Sequence, residues 1–272
     1  MTDIQNYDIY NDRMRRSMWD KAFFMDKIPG ATLLVDYGCA DGSLIRFLHG
    51  LFPSMRMVGY DIDPFMVEKA NTNKPANTWF FHDPEELLAC IRRMNVPTEE
   101  IAVNFSSLMH ELFHYGFDRT EFQGLMDAVN PRYIIVRDMF FRCEDAAKET
   151  SPDACKLLHQ ALPPWMIHDF EQCHGSITLL KNAVHLLMKY KYMENWPREC
   201  AENYFPYTRA QLADLLRENE KYHSVLESYY TLPWLREDIA DTLRLDAGSS
   251  FTTHISLILR RTPEESLIPL TL

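Results

Sequence analysis

The sequence lacks the features that mark several broad classes of protein. No C-x-x-C pair occurs among its six cysteines, at positions 39, 90, 143, 155, 173 and 200, so a zinc ribbon is not expected. No apolar run is long enough to cross a bilayer. The N-terminal stretch MTDIQNYDIYNDRMRRS is polar and has no signal-peptide core. These absences predict reduced thiols in a cytoplasmic protein with no membrane attachment. Positive charge is scarce, with 28 Lys+Arg against 39 Asp+Glu and a net charge of −11. Binding to a phosphate backbone needs clustered positive charge, so a small molecule or peptide is favoured over nucleic acid as partner. There is no internal repeat and no low-complexity segment, and nothing in the sequence fixes an oligomeric state. What remains is ordinary for a globular chain of 272 residues, 46% apolar and 25% charged, long enough for one large domain or a domain with a sizeable insertion.

The most informative stretch is Leu33–Gly42, LLVDYGCADG. Leu33, Leu34, Val35 and Tyr37 suit a buried strand. Gly38, Cys39, Ala40, Asp41 and Gly42 form a small-residue turn, and Ser43 to Leu51 follow with helical apolar spacing. Such a strand, turn and helix let backbone approach a nucleotide-like ligand closely. The turn is neither a G-x-G-x-x-G fingerprint nor a phosphate-cradling P-loop, so the ligand need not carry phosphate. Before it, residues 7 to 28 have near-helical spacing, ended by Pro29 and Gly30. After it, strands are predicted at Met55–Asp61, Thr78–Phe81, Ile101–Phe105 and Arg132–Val136, alternating with helices, which implies a parallel doubly wound sheet. Residues 139–206 break this rhythm with helical patterns and many aromatic residues, notably over Ile177–Tyr192. Thr208 is expected to cap a helix running to Asn219. Ser224–Thr231 and Phe251–Arg260 then read as two last strands.

At Asp36, Tyr37, Gly38, Ala40 and Gly42 the chain resembles the class I S-adenosylmethionine-dependent methyltransferases, whose first motif is an acidic residue, a hydrophobic residue and small or glycine residues at alternate sites. Ala40 in place of the middle glycine is a mild departure. The resemblance covers residues 31 to 138 by motif and 208 to 261 by pattern, and it implies that the two last strands form a terminal antiparallel pair. It implies an α/β fold with a doubly wound, mostly parallel seven-stranded sheet, and a helical insertion after the fifth strand. In that arrangement residues 1–30 are an N-terminal helical segment, 31–138 with 207–272 the cofactor domain, and 139–206 an insertion serving as substrate lid. The implied cofactor is S-adenosyl-L-methionine, held by Asp36, Gly38, Cys39, Ala40, Gly42, Asp61, Ile62, Asp83 and Ser106. Asp61, about 20 residues past the turn, can accept both ribose hydroxyls, while Asp63 reads as the N-cap before Pro64. Asp83 fits either the adenine amino group or the cap of the helix from Pro84, with the cofactor role favoured.

His110-Glu111-Leu112-Phe113-His114 is a literal H-E-x-x-H, which alone would propose a zinc hydrolase. Its place after the fourth strand favours another role. In the resembling fold this loop faces the transferred methyl, so Ser106, Ser107, His110 and Glu111 would line the reaction centre, with His110 as base and Glu111 as its orienting partner. Arg137, Asp138 and His254 are second-tier candidates, and no metal is expected. A module that binds the cofactor without turnover is the third reading.

Overall fold

The computed structural model describes residues 17–245 and 251–263. Its centre is a seven-stranded sheet made of β1 (Leu33–Tyr37), β2 (Arg56–Tyr60), β3 (Thr78–Phe81), β4 (Ile101–Ser106), β5 (Tyr133–Met139), β6 (Tyr222–Tyr230) and β7 (His254–Arg261). The spatial order is β3-β2-β1-β4-β5-β7-β6. Pairings among β1 to β5 are parallel, whereas β7 runs antiparallel to both β5 and β6. The sheet is thus mixed rather than mostly parallel. The physical reason lies in the connections. Helical crossovers join the first five strands and keep them parallel, while β7 enters between β5 and β6 from the opposite direction.

Helices cover both faces, as the near-continuous apolar strands require. Side chains alternate along each strand. Leu33, Val35, Val58, Val103, Phe105, Ile134 and Val136 face one cluster with Leu87, Phe122, Leu125 and Leu212. Leu34, Met57, Ala102, Ile135 and Ile258 face the other with Phe24, Leu44, Ile45 and Leu48. The covering helices on the first face are α4 (Pro84–Met94), α6 (Arg119–Val129) and α11 (Arg209–Leu215); on the second they are α2 (Ser43–Leu51) and α3 (Pro64–Asn71). Asp63 caps α3 by accepting from the Phe65 N–H, and a capping box at Thr208 and Gln211 starts α11.

Only α1 (Met18–Lys21) is helical in the described part of the N-terminal segment, and turns follow to Gly30. The helix expected over 7–28 is therefore absent from 22–28, and residues 7–16 lie outside the described residues. A short helix α5 (Met109–Tyr115) follows β4. Between β5 and β6 the chain forms α7 (Pro152–Ala161), α8 (Pro164–His174), α9 (Leu180–Lys189) and α10 (Trp196–Ala201), then α11; α12 (Pro233–Leu243) precedes β7. Helices α7 to α10 and α12 have a hydrophobic core of their own, built on Leu158, Phe170, Val184, Leu187, Trp196 and Ile239. Among the described residues no helix is long and apolar enough to cross a membrane.

Candidate active site

The glycine turn is fastened to the neighbouring strand. The N–H groups of Gly38 and Cys39 both donate to the Tyr60 carbonyl, at 2.8 and 2.9 Å. The Ala40 N–H donates to one Asp61 oxygen at 2.7 Å, and the Asp63 N–H donates to the other at 3.0 Å. Asp61 therefore braces the turn and its own loop together. Gly38 has φ +84°, a left-handed conformation that favours glycine, and a Cβ there would lie 2.9 Å from both Leu108 methyls. Behind the turn, buried Asp36 accepts from the Asn104 amide at 2.7 Å. Burial pushes its carboxyl up to about 6. Nearby Lys21 is also buried, and burial, helped by the Arg137 charge, lowers its amine to about 8.

Three cavities meet above this edge of the sheet. The widest, about 350 Å³, lies beyond the turn and is largely apolar, with Tyr60, Ile62, Met66 and Leu112 in its wall. A second, about 90 Å³, is lined by Asp36, Gly38, Cys39, Ala40, Asp61 and Ser106, among others. A third, about 100 Å³, lies under the helices that follow β5, with His110, Arg198, Glu202, Tyr204, Trp234 and His254 in its wall. Glu111 lines all three.

His110 is buried and fully engaged. Its backbone N–H donates to one Asp138 oxygen at 2.8 Å, and its ring Nδ1 meets the other at 2.7 Å. Its Nε2 faces the Glu202 carboxylate at 3.3 Å. Burial alone would lower the imidazole, but the carboxylates of Asp138 and Glu202 outweigh it and raise it to about 10. Burial would raise Glu202, yet the bond from His110 and the Arg198 charge hold it down to about 2. Burial raises Glu111 to about 7 against the opposing His110 charge. The expected pairing of His110 with Glu111 is thus corrected. Asp138 orients the ring, and Glu202 rather than Glu111 faces its far nitrogen.

Arg198 stands 3.6 Å from Glu111, 3.8 Å from Glu199 and 3.7 Å from Glu202. Fully buried Lys189 donates to the carbonyls of Glu199 and of Glu202, the latter at 2.6 Å, with its tip 3.6 Å above the Tyr204 ring. Arg137 pairs with Asp20 at 2.6 Å and donates to the Ser107 hydroxyl at 3.0 Å. His254 is buried in the same cavity wall, and its Nδ1 lies 2.7 Å from the Thr253 hydroxyl.

The chain matches no family model and no curated protein sequence. Solved structures do match. One is a chain of the complex between the Haloferax volcanii Trm112 methyltransferase activator and a methyltransferase, 13% identical, with 95% of each chain covered and a TM-score of 0.51. Another is an S-adenosylmethionine-dependent methyltransferase from Mesorhizobium loti, 16% identical, covering 90% of this chain and 98% of that one, with a TM-score of 0.50. The fold is that of the class I S-adenosylmethionine-dependent methyltransferases.

Within this methyltransferase fold, the expected site residues separate into two groups. Asp36, Gly38, Cys39, Ala40, Asp61 and Ser106 come together around one cavity, and Ile62 lines the wide one beside it. Gly42 and Asp83 line none of the three. Gly42 is kept small by the Phe80 ring, which a Cβ would meet at 2.7 Å. Asp83 is exposed and caps α4 by accepting from the Glu85 and Glu86 N–H groups. Glu111 sits where the cavities join and His110 lines the third, while His114 lies outside the convergent group of His110, Glu111 and Glu202. Lys21, Arg198 and Glu202 were not anticipated. The one local signal for the last two is the i,i+4 spacing of Arg198 and Glu202, which by itself describes countless solvent-facing helices.

Proposed function

We propose that the protein is an S-adenosylmethionine-dependent methyltransferase acting on a small molecule or peptide. The observation that carries this reading is the left-handed glycine turn at Gly38, fastened through Ala40 to Asp61 at the carboxyl end of the adjacent strand. Ligands of open α/β sheets bind at this edge. The residues fit the cofactor. Gly38 keeps the backbone approachable, Asp61 supplies an acceptor at the cavity wall, and the buried Ser106 hydroxyl in the same wall has no hydrogen-bond partner among the described residues. Asp36, Gly38, Cys39, Ala40, Asp61, Ile62 and Ser106 would hold the cofactor, with the apolar cavity taking its base. Asp36 and Asp61 favour its positive charges, and Lys21 its carboxylate. Gly42 contributes by packing the first helix onto the sheet, and Asp83 by starting α4.

The bound cofactor supplies an activated methyl on a sulfonium. The chain then has to align the acceptor and exclude water, which is the main contribution proteins make to such displacements. Glu111, at the junction of the cofactor and acceptor cavities, and His110, in the acceptor cavity, would position the acceptor. Residues 139–206, which share a hydrophobic core with α12, would form the lid over that acceptor space, with 31–138 and 207–272 as the cofactor domain. The small third cavity, about 100 Å³, favours a compact acceptor over a nucleic-acid strand. Nothing points to the zinc-hydrolase reading, since His114 is not in the group of His110, Glu111 and Glu202.

Calorimetric titration with S-adenosylmethionine and with its demethylated product tests the proposal. Micromolar or tighter binding of either is expected, and binding of neither would refute it. Binding without methylation of any small-molecule or peptide pool would favour the module that binds without turnover.

A further inference from the structure

The cavity under the late helices holds a ligand set that methyl transfer itself does not require. One ring nitrogen of His110 and one carboxylate oxygen each from Glu111 and Glu202 lie within 4.8 Å of one another. His110 and Glu202 are almost wholly buried, at 2% exposure each. The three atoms belong to segments about 90 residues apart in the chain, on α5 and just after α10, and all three residues line the third cavity. We propose that His110, Glu111 and Glu202 bind one divalent transition-metal ion, of the Zn²⁺ or Mn²⁺ kind, at the wall of the acceptor cavity.

Four features support this. The first is reach. Ligands about 2.0–2.2 Å from one ion lie up to about 4.4 Å apart, so the observed spread closes with small side-chain rotations. The second is the outer layer. Metal-ligating histidines typically donate their other ring nitrogen to a carboxylate, which fixes the ring and its tautomer. Asp138 does this for His110, gripping both its backbone N–H and its Nδ1 and leaving Nε2 facing Glu202. The third is charge. Glu111, Asp138, Glu199 and Glu202 crowd one buried volume. The neighbouring cations are Arg198 and Lys189, and Arg198 reaches Glu111, Glu199 and Glu202 only at 3.6–3.8 Å. Charge-assisted bonds are shorter, about 2.7–2.9 Å, so the guanidinium offsets charge without occupying the lone pairs a cation would use. The fourth is ligand type. Imidazole with two carboxylates suits Zn²⁺ or Mn²⁺ better than Mg²⁺ or Ca²⁺, which prefer oxygen alone.

Three protein ligands leave positions open toward the cavity, the arrangement of sites that bind substrate rather than of closed structural sites. An oxygen of the acceptor, from a hydroxyl or a carboxylate, would fill one. This part of the inference rests on the methyltransferase reading; the ion site itself does not.

The test uses the full chain freed of metal with a chelator, titrated with Zn²⁺ and separately with Mn²⁺, followed by metal analysis after dialysis. One ion per chain is expected. His110→Ala and Glu202→Gln should each weaken binding at least tenfold, while His114→Ala should bind as the unaltered chain does. If His110→Ala fails to fold, Glu111→Gln carries the same expectation at a more exposed position. Failure of the unaltered chain to bind either ion would overturn the inference. Equal loss in His114→Ala and His110→Ala would overturn this ligand set. Parallel titration with S-adenosylmethionine separates the two claims: cofactor binding without metal refutes only the ion site, and metal binding without cofactor refutes only the methyltransferase reading.

Discussion

Gly38→Ala tests the hinge of the proposal at its most confined point. Two costs follow from the structure. At φ +84° an alanine is strained, by about 1–2 kcal/mol for a left-handed residue with a Cβ. The new Cβ would also sit 2.9 Å from both Leu108 methyls and 3.2 Å from its Cγ. Forcing extra atoms into packed surroundings costs about 1–3 kcal/mol. The sum is about 2–5 kcal/mol, read as a shift in the urea midpoint at unchanged slope. The two parts separate in a double-mutant cycle. Leu108→Ala removes the collision but leaves the strain, so Gly38→Ala should cost about 1–3 kcal/mol less in the Leu108→Ala background than alone. Cofactor affinity answers a different question. Gly38 lines both cavities assigned to the cofactor, so its Cβ should weaken S-adenosylmethionine binding in both backgrounds. Additive stability effects would refute the packing argument. Cofactor binding at unaltered strength in Gly38→Ala would refute the placement of the site.

Asp61→Ala should cut cofactor affinity roughly ten- to hundredfold, since bonds to a charged partner contribute about 1.5–3 kcal/mol. Asp63→Ala should instead lower stability by about 1 kcal/mol, the usual worth of an N-cap, with little change in affinity; calorimetry and urea melts on both variants check the order. Lys189→Met leaves the Glu199 and Glu202 carbonyls without their buried donor, at about 1–3 kcal/mol for each group, and should loosen the segment carrying Glu202 more than the sheet, as amide exchange would show. Acid should destabilise the fold early. Burial lowers His174 to about 4, so the unfolded chain takes up a proton near the ordinary value of about 6.5 while the folded one does not. Its contribution is complete above about 6.5 and lost as pH falls from there to about 4. Melting temperature followed across that range should fall less steeply in His174→Phe, and an identical slope would sink the assignment.

The parts of the molecule legible in the sequence are those whose causes are local. Leu33–Tyr37 reads as a buried strand because both its faces are covered, which leaves no polar alternation to obscure it. Asp63 and Thr208 announce helix starts because a cap acts within three residues of itself. Asp61 is recognisable by its distance from the turn, and the hydrogen bond to Ala40 shows why that distance matters: the carboxylate closes the loop between two neighbouring parallel strands. Asp83 reads as either cap or ligand contact because both use the same side chain, and the fold shows it capping the helix. The two closing strands are legible as a terminal antiparallel pair through the resemblance, whereas the mixed character of the whole sheet is not.

The third cavity resisted reading for a deeper reason. His110 and Glu111 carry a motif that points along the helix to His114, four residues on, whereas their partners come from Asp138 on β5 and Glu202 after α10. No periodicity links those three segments. Trp196–Glu202, WPRECAE, looks like a solvated charged turn, yet Arg198, Glu199 and Glu202 are all buried. Burial of that much charge is costly unless each group finds a partner. Here the partners are Lys189, Tyr204, His110 and each other. A chain that folds a separate helical core to seal such a cluster against the end of β5 spends stability there, and functional sites are where proteins tolerate that cost. The cost falls at the third cavity, beside the cavity of the glycine turn, so the chemistry proposed for this chain is best sought among His110, Glu111 and Glu202.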